Sequence, residues 1–172
     1  MELLLDEIDT AIGTILLVAD RQALCALEYA DQQMQLMKRL TRRFGQLQLQ
    51  RVKNPHGFTD LLVAYFAGNY NAINRIPVNL GGTPFQQQVW SALRDIPIGN
   101  TISYGELAAK LGTTAARAVG MANAVNPVAI VVPCHRVIGA NAALVGYGGG
   151  VERKQWLLRH EGVNLPAIQR IR

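Results

Sequence analysis

Between residues 83 and 127 the chain carries local signals that leave it little freedom of fold: two helix starts of the same kind, a glycine turn and a proline stop. Thr83-Pro84-Phe85-Gln86 opens a helix, with Thr83 as N-cap, Pro84 at the first helical position and Gln86 placed to return a bond to the cap. Phe85, Val89 and Leu93 supply its buried stripe. Ser103-Tyr104-Gly105-Glu106 repeats the device and starts a short helix that ends near Leu111, with Tyr104, Leu107, Ala108 and Leu111 on one stripe. Gly112-Thr113-Thr114 follows, and then a helix from Ala115 to Ala124. Helix, glycine turn, helix is the pattern that sets a second helix against DNA. Asn126-Pro127 stops that helix, because the residue before a proline is pushed out of the α region, and Val128 to Val132 reads as a buried strand.

The second helix has an unusual surface for one that reads bases. Arg117, Gly120, Met121 and Ala124 share a face, so it offers one cation among small or apolar groups. Such a face approaches DNA closely, follows groove shape and can insert one long side chain into a gap. The same residues equally suit tight helix packing with a solvated Arg117.

Upstream of the Pro77 to Gly82 linker the pattern changes. Glu2 to Ile8, Thr14 to Ala19 and Ala23 to Tyr29 are short apolar runs between polar or glycine-containing turns, which predicts a small antiparallel sheet. Gln32 to Phe44, through Met34, Met37, Leu40 and Phe44, and Phe58 to Phe66, through Leu62, Tyr65 and Phe66, predict helices packed on it. No nucleophile, phosphate loop or ligand cluster precedes residue 80, so this half reads as scaffold. Division at the linker also separates charge: residues 1 to 80 carry eight basic and eight acidic side chains, residues 81 to 172 nine against four. A basic half fits a polyanionic partner such as nucleic acid. No apolar run approaches the roughly 18 residues of a membrane span, and the start, Met1 to Asp9, is acidic where a signal peptide is basic, so the expected location is the cytosol. Cys25 and Cys134 are far apart and without metal-ligand spacing, which predicts two reduced thiols.

The chemistry concentrates in Val131-Val132-Pro133-Cys134-His135-Arg136-Val137-Ile138. A thiol of ordinary pKa needs a neighbouring imidazole or cation to become a nucleophilic thiolate, and His135 and Arg136 are candidates. Adjacent strand residues point to opposite faces, so Cys134 and His135 need a turn or a bridging water, and the expectation is the water. A structural cysteine beside a surface histidine is the commoner fate of such a pair. Glu161 precedes Gly162, which reads as the residue just past a helix C-terminus. A carboxylate there opposes the helix dipole, so it is either compensated by a partner such as His135 or simply solvated. Asn141 to Gly150, ending Gly146-Tyr147-Gly148-Gly149-Gly150, has so little bulk that its backbone can approach a planar ligand. It equally reads as a flexible linker.

Taken in order, Thr83 to Trp90, Ser103 to Leu107, Ala115 to Gly120, Asn126-Pro127, Val132 to Val137, Tyr147 to Gly149 and Trp156 to Gly162 resemble the O6-alkylguanine-DNA alkyltransferase family, the methylated-DNA--protein-cysteine methyltransferases. The first 80 residues match in layout and in Tyr65-Phe66-Ala67-Gly68. The resemblance implies an α+β protein: an N-terminal ribonuclease-H-like α/β domain over residues 1–79 with a small antiparallel sheet, and a mainly helical winged helix-turn-helix domain over 80–172. It implies Cys134 as alkyl acceptor, His135 as base through water, Glu161 as its partner, Asn126 as the join between recognition helix and active-site segment, and Tyr104 as donor to the departing guanine. Arg117 would fill the space of a flipped nucleotide, its helix lying in the minor groove, with Ala115, Ala116, Gly120, Ser103 and Arg136 also at the DNA. Val137, Tyr147 and Gly148 would line the base pocket.

The partners implied are double-stranded DNA and its alkylated guanine, met by a monomer with no cofactor and no membrane. O4-alkylthymine is a further candidate substrate. Two departures matter. Gly148 replaces the serine or alanine of many relatives and leaves only a backbone N–H toward the base, and Cys25 and His56 are too few for the zinc site of some members, so no metal is expected. The rival readings are a lesion-sensing module without transfer, against which Cys134 argues, and a cysteine hydrolase, which leaves the helix-turn-helix unexplained.

Overall fold

The computed structural model describes residues 1–139 and 146–165. They form two compact units. The first takes Met1–Gly81 together with Pro127–Val131; the second takes Gly82–Asn126 and the chain from Val132 on.

The first unit is built on β1 (Glu2–Thr10), β2 (Gly13–Ala19) and β3 (Leu24–Tyr29), followed by α1 (Gln33–Phe44), β4 (Gln48–Arg51) and α2 (Phe58–Phe66). The sheet order is β3-β2-β1-β4. The three expected strands pair antiparallel, and β4 adds a parallel edge that the sequence reading missed because Gln48, Gln50 and Arg51 are polar and exposed. Leu3, Leu16, Val18 and Ala26 form a core with Leu36 and Leu40 of α1, so α1 covers that face. Met34, expected on the buried stripe, is instead 68 % exposed. Asp6 alternates with Leu3 and Leu5 and accepts a 2.7 Å bond from Thr59 of α2, which puts α2 against the other face.

The outer edge of β3 is not left bare. Leu24 N–H donates to the Pro77 carbonyl and Leu27 N–H to that of Pro127, while Asn79 and Ala129 donate back. Val128 makes one parallel bridge to Leu27, so the strand expected over Val128 to Val132 shrinks to that residue. The rest is consumed by two three-residue turns. Val131 N–H reaches the Ala129 carbonyl around Ile130, whose φ is +72°, and Cys134 N–H reaches the Val132 carbonyl around Pro133 at φ −82°, ψ 65°. The second is the relaxed inverse γ form; the first is the strained one, and its centre is a fully buried β-branched residue.

The second unit contains α3 (Pro84–Arg94), β5 (Ile102–Ser103), α4 (Tyr104–Lys110), α5 (Ala116–Ala124), β6 (Val137–Ile138) and α6 (Val151–His160). Both caps form: Gln86 N–H donates to Thr83 Oγ1 and Gln86 Oε1 accepts from the Thr83 N–H, and Glu106 N–H donates to Ser103 Oγ. Val89, Trp90 and Leu93 are the buried side of α3, with Phe85 only partly covered, and Trp90 Nε1 donates to the Ala122 carbonyl of α5. Gly112, at φ +73°, makes the turn between α4 and α5. The unit thus has the expected helix-turn-helix, with the small parallel pair β5-β6 beside it.

Candidate active site

The turn at Pro133 delivers Cys134, His135 and Arg136 into a single turn of 3-10 helix. This tight turn removes the obstacle that an extended strand would pose, because the thiol and imidazole no longer face opposite ways. Cys134 is 8 % exposed and His135 not at all. Among the described residues neither cysteine is in a disulfide.

Glu161 caps the C-terminus of α6, and its dipole conflict is compensated. His135 Nε2 lies 2.8 Å from Glu161 Oε2. Arg136 donates through Nε to Oε1 at 2.8 Å and through its terminal nitrogen to Oε2 at 3.1 Å. Burial alone would raise the carboxyl pKa, but the charges and bonds of His135 and Arg136 outweigh it and hold the group well below the ordinary carboxylate range. His135 moves down as well: burial disfavours its cation more than Glu161 favours it. A neutral imidazole facing an acceptor-only carboxylate carries its proton on Nε2, which leaves a lone pair on Nδ1. Nδ1 is buried and has no hydrogen-bond partner among the described residues.

Two buried polar residues join this cluster that the sequence reading did not single out. Lys154 is fully buried and donates through Nζ to the Val137 carbonyl at 2.5 Å; burial pushes its pKa down to about 8, with the Cys134 charge acting the other way. Asn123, 2 % exposed, donates through Nδ2 to the Cys134 carbonyl at 3.4 Å. The signal was present. Lys154, Leu157, Leu158 and Glu161 form one buried helical stripe of α6, and Val119, Ala122, Asn123 and Asn126 form another along α5 and its end. Polar residues at such positions break the apolar pattern.

The remaining site residues fall in two groups. Asn126, buried, donates to the Val132 carbonyl at 2.8 Å and so ties the end of α5 to the strand-breaking segment before Cys134. The β5-β6 pair, Ile102 with Val137 and Ser103 with Ile138, brings the start of α4 beside the chain just after Cys134. Tyr104 follows Ser103, half-buried. Its ring packs over Gly120, where a methyl group would stand 3.6 Å away, and its hydroxyl is directed to Gly146. Burial raises its pKa, the Cys134 charge adds to this, and the nearby Asn123 side chain acts the other way. Val137 and Tyr147 are buried and Gly148 is exposed; residues 140–145 of the expected Asn141 to Gly150 loop lie outside the described residues.

On α5, Arg117, Met121 and Ala124 are exposed together, Ala115 is exposed before them, and Gly120, Ala116 and Ser103 are partly covered. Arg136 is a correction. Expected at the DNA, it is 3 % exposed and spends its guanidinium on Glu161 and on the Ile96 carbonyl at 2.6 Å, because a buried carboxylate needs a compensating cation. Cys25 offers a contrast to Cys134: burial and the Asp20 carboxylate, 3.4 Å away, push its thiol up to about 11, so it stays protonated.

Comparisons with known proteins identify the family. Residues 5–80 match the family described as 6-O-methylguanine DNA methyltransferase, ribonuclease-like domain, and residues 84–163 match its DNA binding domain. The chain is 51 % identical over 167 residues to the methylated-DNA--protein-cysteine methyltransferase of Salmonella typhimurium, covering 94 % of this chain and 97 % of that protein. It is 55 % identical over 112 residues to the protein of that name from Mycobacterium bovis, covering 64 % and 67 %. Among solved structures, the Mycobacterium tuberculosis O6-methylguanine methyltransferase superposes with a TM-score of 0.75 at 39 % identity and 96 % coverage of both chains. The M. tuberculosis protein in complex with DNA superposes at 0.77, with 42 % identity over 94 % of this chain and 92 % of that one. With both of its domains matched and its whole length related to a methylated-DNA--protein-cysteine methyltransferase, the chain belongs to the O6-methylguanine-DNA methyltransferase family.

Proposed function

We propose that this protein repairs alkylated DNA by moving the alkyl group of an O6-alkylguanine irreversibly onto Sγ of Cys134. The observation that carries the reading is the buried Glu161-His135 pair, which aims a basic Nδ1 lone pair into the interior from the residue next to the thiol. His135 takes the Cys134 proton through a bridging water, and Glu161 fixes the imidazole tautomer. The thiolate attacks the alkyl carbon in line with the carbon–oxygen bond. A sulfur–carbon bond forms, the carbon–oxygen pair leaves with guanine, and Tyr104 donates the proton that the base needs. In sum, a proton passes from Cys134 to guanine and an alkyl group passes the other way. The thioether product is stable, so each molecule acts once.

Access to the base requires an extrahelical nucleotide. The exposed face of α5, with one cation at Arg117 and small or apolar neighbours, suits shape-reading in the minor groove, and Arg117 is long enough to occupy the vacated stack. The relative from M. tuberculosis was solved with DNA. Backbone groups of Cys134, Val137 and Gly148 recognise the guanine. The protein acts as a monomer without a cofactor.

Intact-mass measurement after incubation with a duplex bearing one O6-methylguanine tests the reading. One added methyl group on the wild type, retained in Cys25→Ser and absent in Cys134→Ala, is the expected result. Tight lesion binding without added mass would make the protein a lesion sensor, and several turnovers per molecule would refute the single-use mechanism.

A further inference from the structure

The first half of the chain is neutral in sum but not in distribution. β1 carries Glu2, Asp6, Glu7 and Asp9 with no base, while α1 carries Lys38, Arg39, Arg42 and Arg43 with no acid. Two of these cations are engaged. Arg39 pairs with Glu28 at 3.3 Å, and Arg43 donates to the Asn79 carbonyl at 2.8 Å and to its side chain at 2.7 Å. Lys38 and Arg42 are exposed and make no hydrogen bond or ion pair among the described residues. Standing four residues apart, they share a helix face and repel, as do Arg39 and Arg43, and like-charge pairs at that spacing weaken a helix. The helix dipole accounts for Arg42 and Arg43 in the last turn, where cations meet its negative end, but not for Lys38.

Leu36 and Leu40 turn the other side of α1 into the core, so the face with Lys38 and Arg42 looks outward. With Gln33, Met34, Met37 and Thr41 the two cations line a shallow open depression. Gln33 and Thr41 are neutral donors of the kind that bond phosphate oxygens alongside Lys and Arg. Met34, 68 % exposed, adds an adaptable apolar surface.

We infer that this face of α1 is a second DNA-binding surface, which holds the phosphate backbone of a duplex through Lys38 and Arg42 without reading its sequence. Two unpaired cations complement a polyanion, the neutral side chains beside them are phosphate ligands, and the chain already carries a DNA binding domain over residues 84–163. The first unit thus adds affinity but no specificity. The assignment rests on DNA as the partner of the chain and is independent of the transfer chemistry at Cys134.

Fluorescence anisotropy on an unmodified duplex across a salt series tests this with the double variant Lys38→Gln, Arg42→Gln set against the double variant Arg21→Gln, Arg75→Gln. Each removes two exposed, unpaired cations from the first unit, so net charge falls equally and only the place differs. The α1 variant is expected to bind about tenfold more weakly near about 0.1 M salt, with a salt slope flatter by about two. It should melt no lower than the wild type, since it loses a repulsion and no contact. The control should keep the wild-type slope. Equal losses in both variants would overturn the assignment, because binding would then follow net charge alone, and so would an α1 variant that binds like the wild type. Sedimentation without DNA covers another occupant: a wild-type oligomer that the α1 variant dissolves would give the face to a second copy of the chain and remove it from DNA. A wild type that does not bind the duplex at all would refute DNA as the partner of either unit, whereas the added mass on Cys134 reports on transfer separately.

Discussion

His135 Nε2 and Glu161 Oε2 stand 2.8 Å apart with both side chains wholly out of solvent. The carboxylate serves two partners at once, the neutral imidazole and the Arg136 guanidinium, which bonds both of its oxygens. It therefore fixes the orientation of the imidazole and anchors the end of α6 to the Cys134 turn.

Replacing Glu161 by glutamine keeps the shape and removes the charge, which leaves Arg136 buried without its counter-ion. Breaking one side of a buried pair costs about 3–5 kcal/mol, and in a chain of this size each kcal/mol moves the melting temperature by about 2–4 °C. Glu161→Gln should melt roughly 10 °C lower, and at a temperature where it is folded it should transfer methyl more slowly. Calorimetry with single-turnover kinetics checks both; an unchanged melting temperature would contradict the buried pair.

Arg117 and Arg136 are both arginines of the basic half, yet they should behave oppositely. Arg117→Ala removes an exposed cation, so stability should stay within about 0.5 kcal/mol while duplex affinity falls and its salt slope drops by about one. Arg136→Met should leave the salt slope intact and lower stability by about 3 kcal/mol. Fluorescence anisotropy across a salt series, paired with melting curves, separates them.

Acid should unfold the protein through two groups. His135 sits below its ordinary 6.5 and Glu161 below its ordinary 4.5 in the folded chain. In both cases the unfolded chain binds the proton more readily, so stability rises with pH and is lost on acidification. The loss should begin below pH 6.5 as His135 is forced to charge and steepen below pH 4.5 as Glu161 is protonated. Urea midpoints from pH 7 to 3 should follow this course, and His135→Asn should remove the upper part.

Lys154 has the same sign at the alkaline end. Its folded pKa of about 8 against 10.5 means that the unfolded chain holds the proton longer, so its contribution to stability increases as pH rises between those values. Lys154→Met should abolish that rise in urea midpoints. It should also slow transfer at pH 7.5, since a buried cation coupled to Cys134 is lost and the Val137 carbonyl loses its donor.

Much of the second unit was legible because its signals are local. Thr83, Pro84, Ser103, Gly112 and Pro127 each act within a turn or two of their own position, and the helices they bound are present. Cys134, His135 and Glu161 were legible as candidates, but their meeting depends on contacts 26 residues apart in the chain. Arg136 was misplaced because sequence carries charge and not burial. Asn123 and Lys154 passed unnoticed because the stripe that each belongs to was not traced to its polar members. β4 escaped for the opposite reason: its edge position lets it be polar, so nothing marks it as a strand. The run Val128 to Val132 looked like a strand by composition alone, and the positive φ of Ile130 at the centre of its first turn leaves no trace in residue type.

The short piece Pro127–Val131 packs with the first unit although it lies deep in the second half of the chain. A truncation after Gly81 therefore yields no self-sufficient fragment. The leading piece would expose the N–H and C=O of Leu27 along an open β edge, inviting association with other copies. The trailing piece would carry Val128, Ile130 and Val131 stripped of their cover, three residues ahead of Cys134. The scaffold unit is thus left open through the synthesis of both helices of the helix-turn-helix, and is closed by residues that emerge from the ribosome just ahead of Cys134.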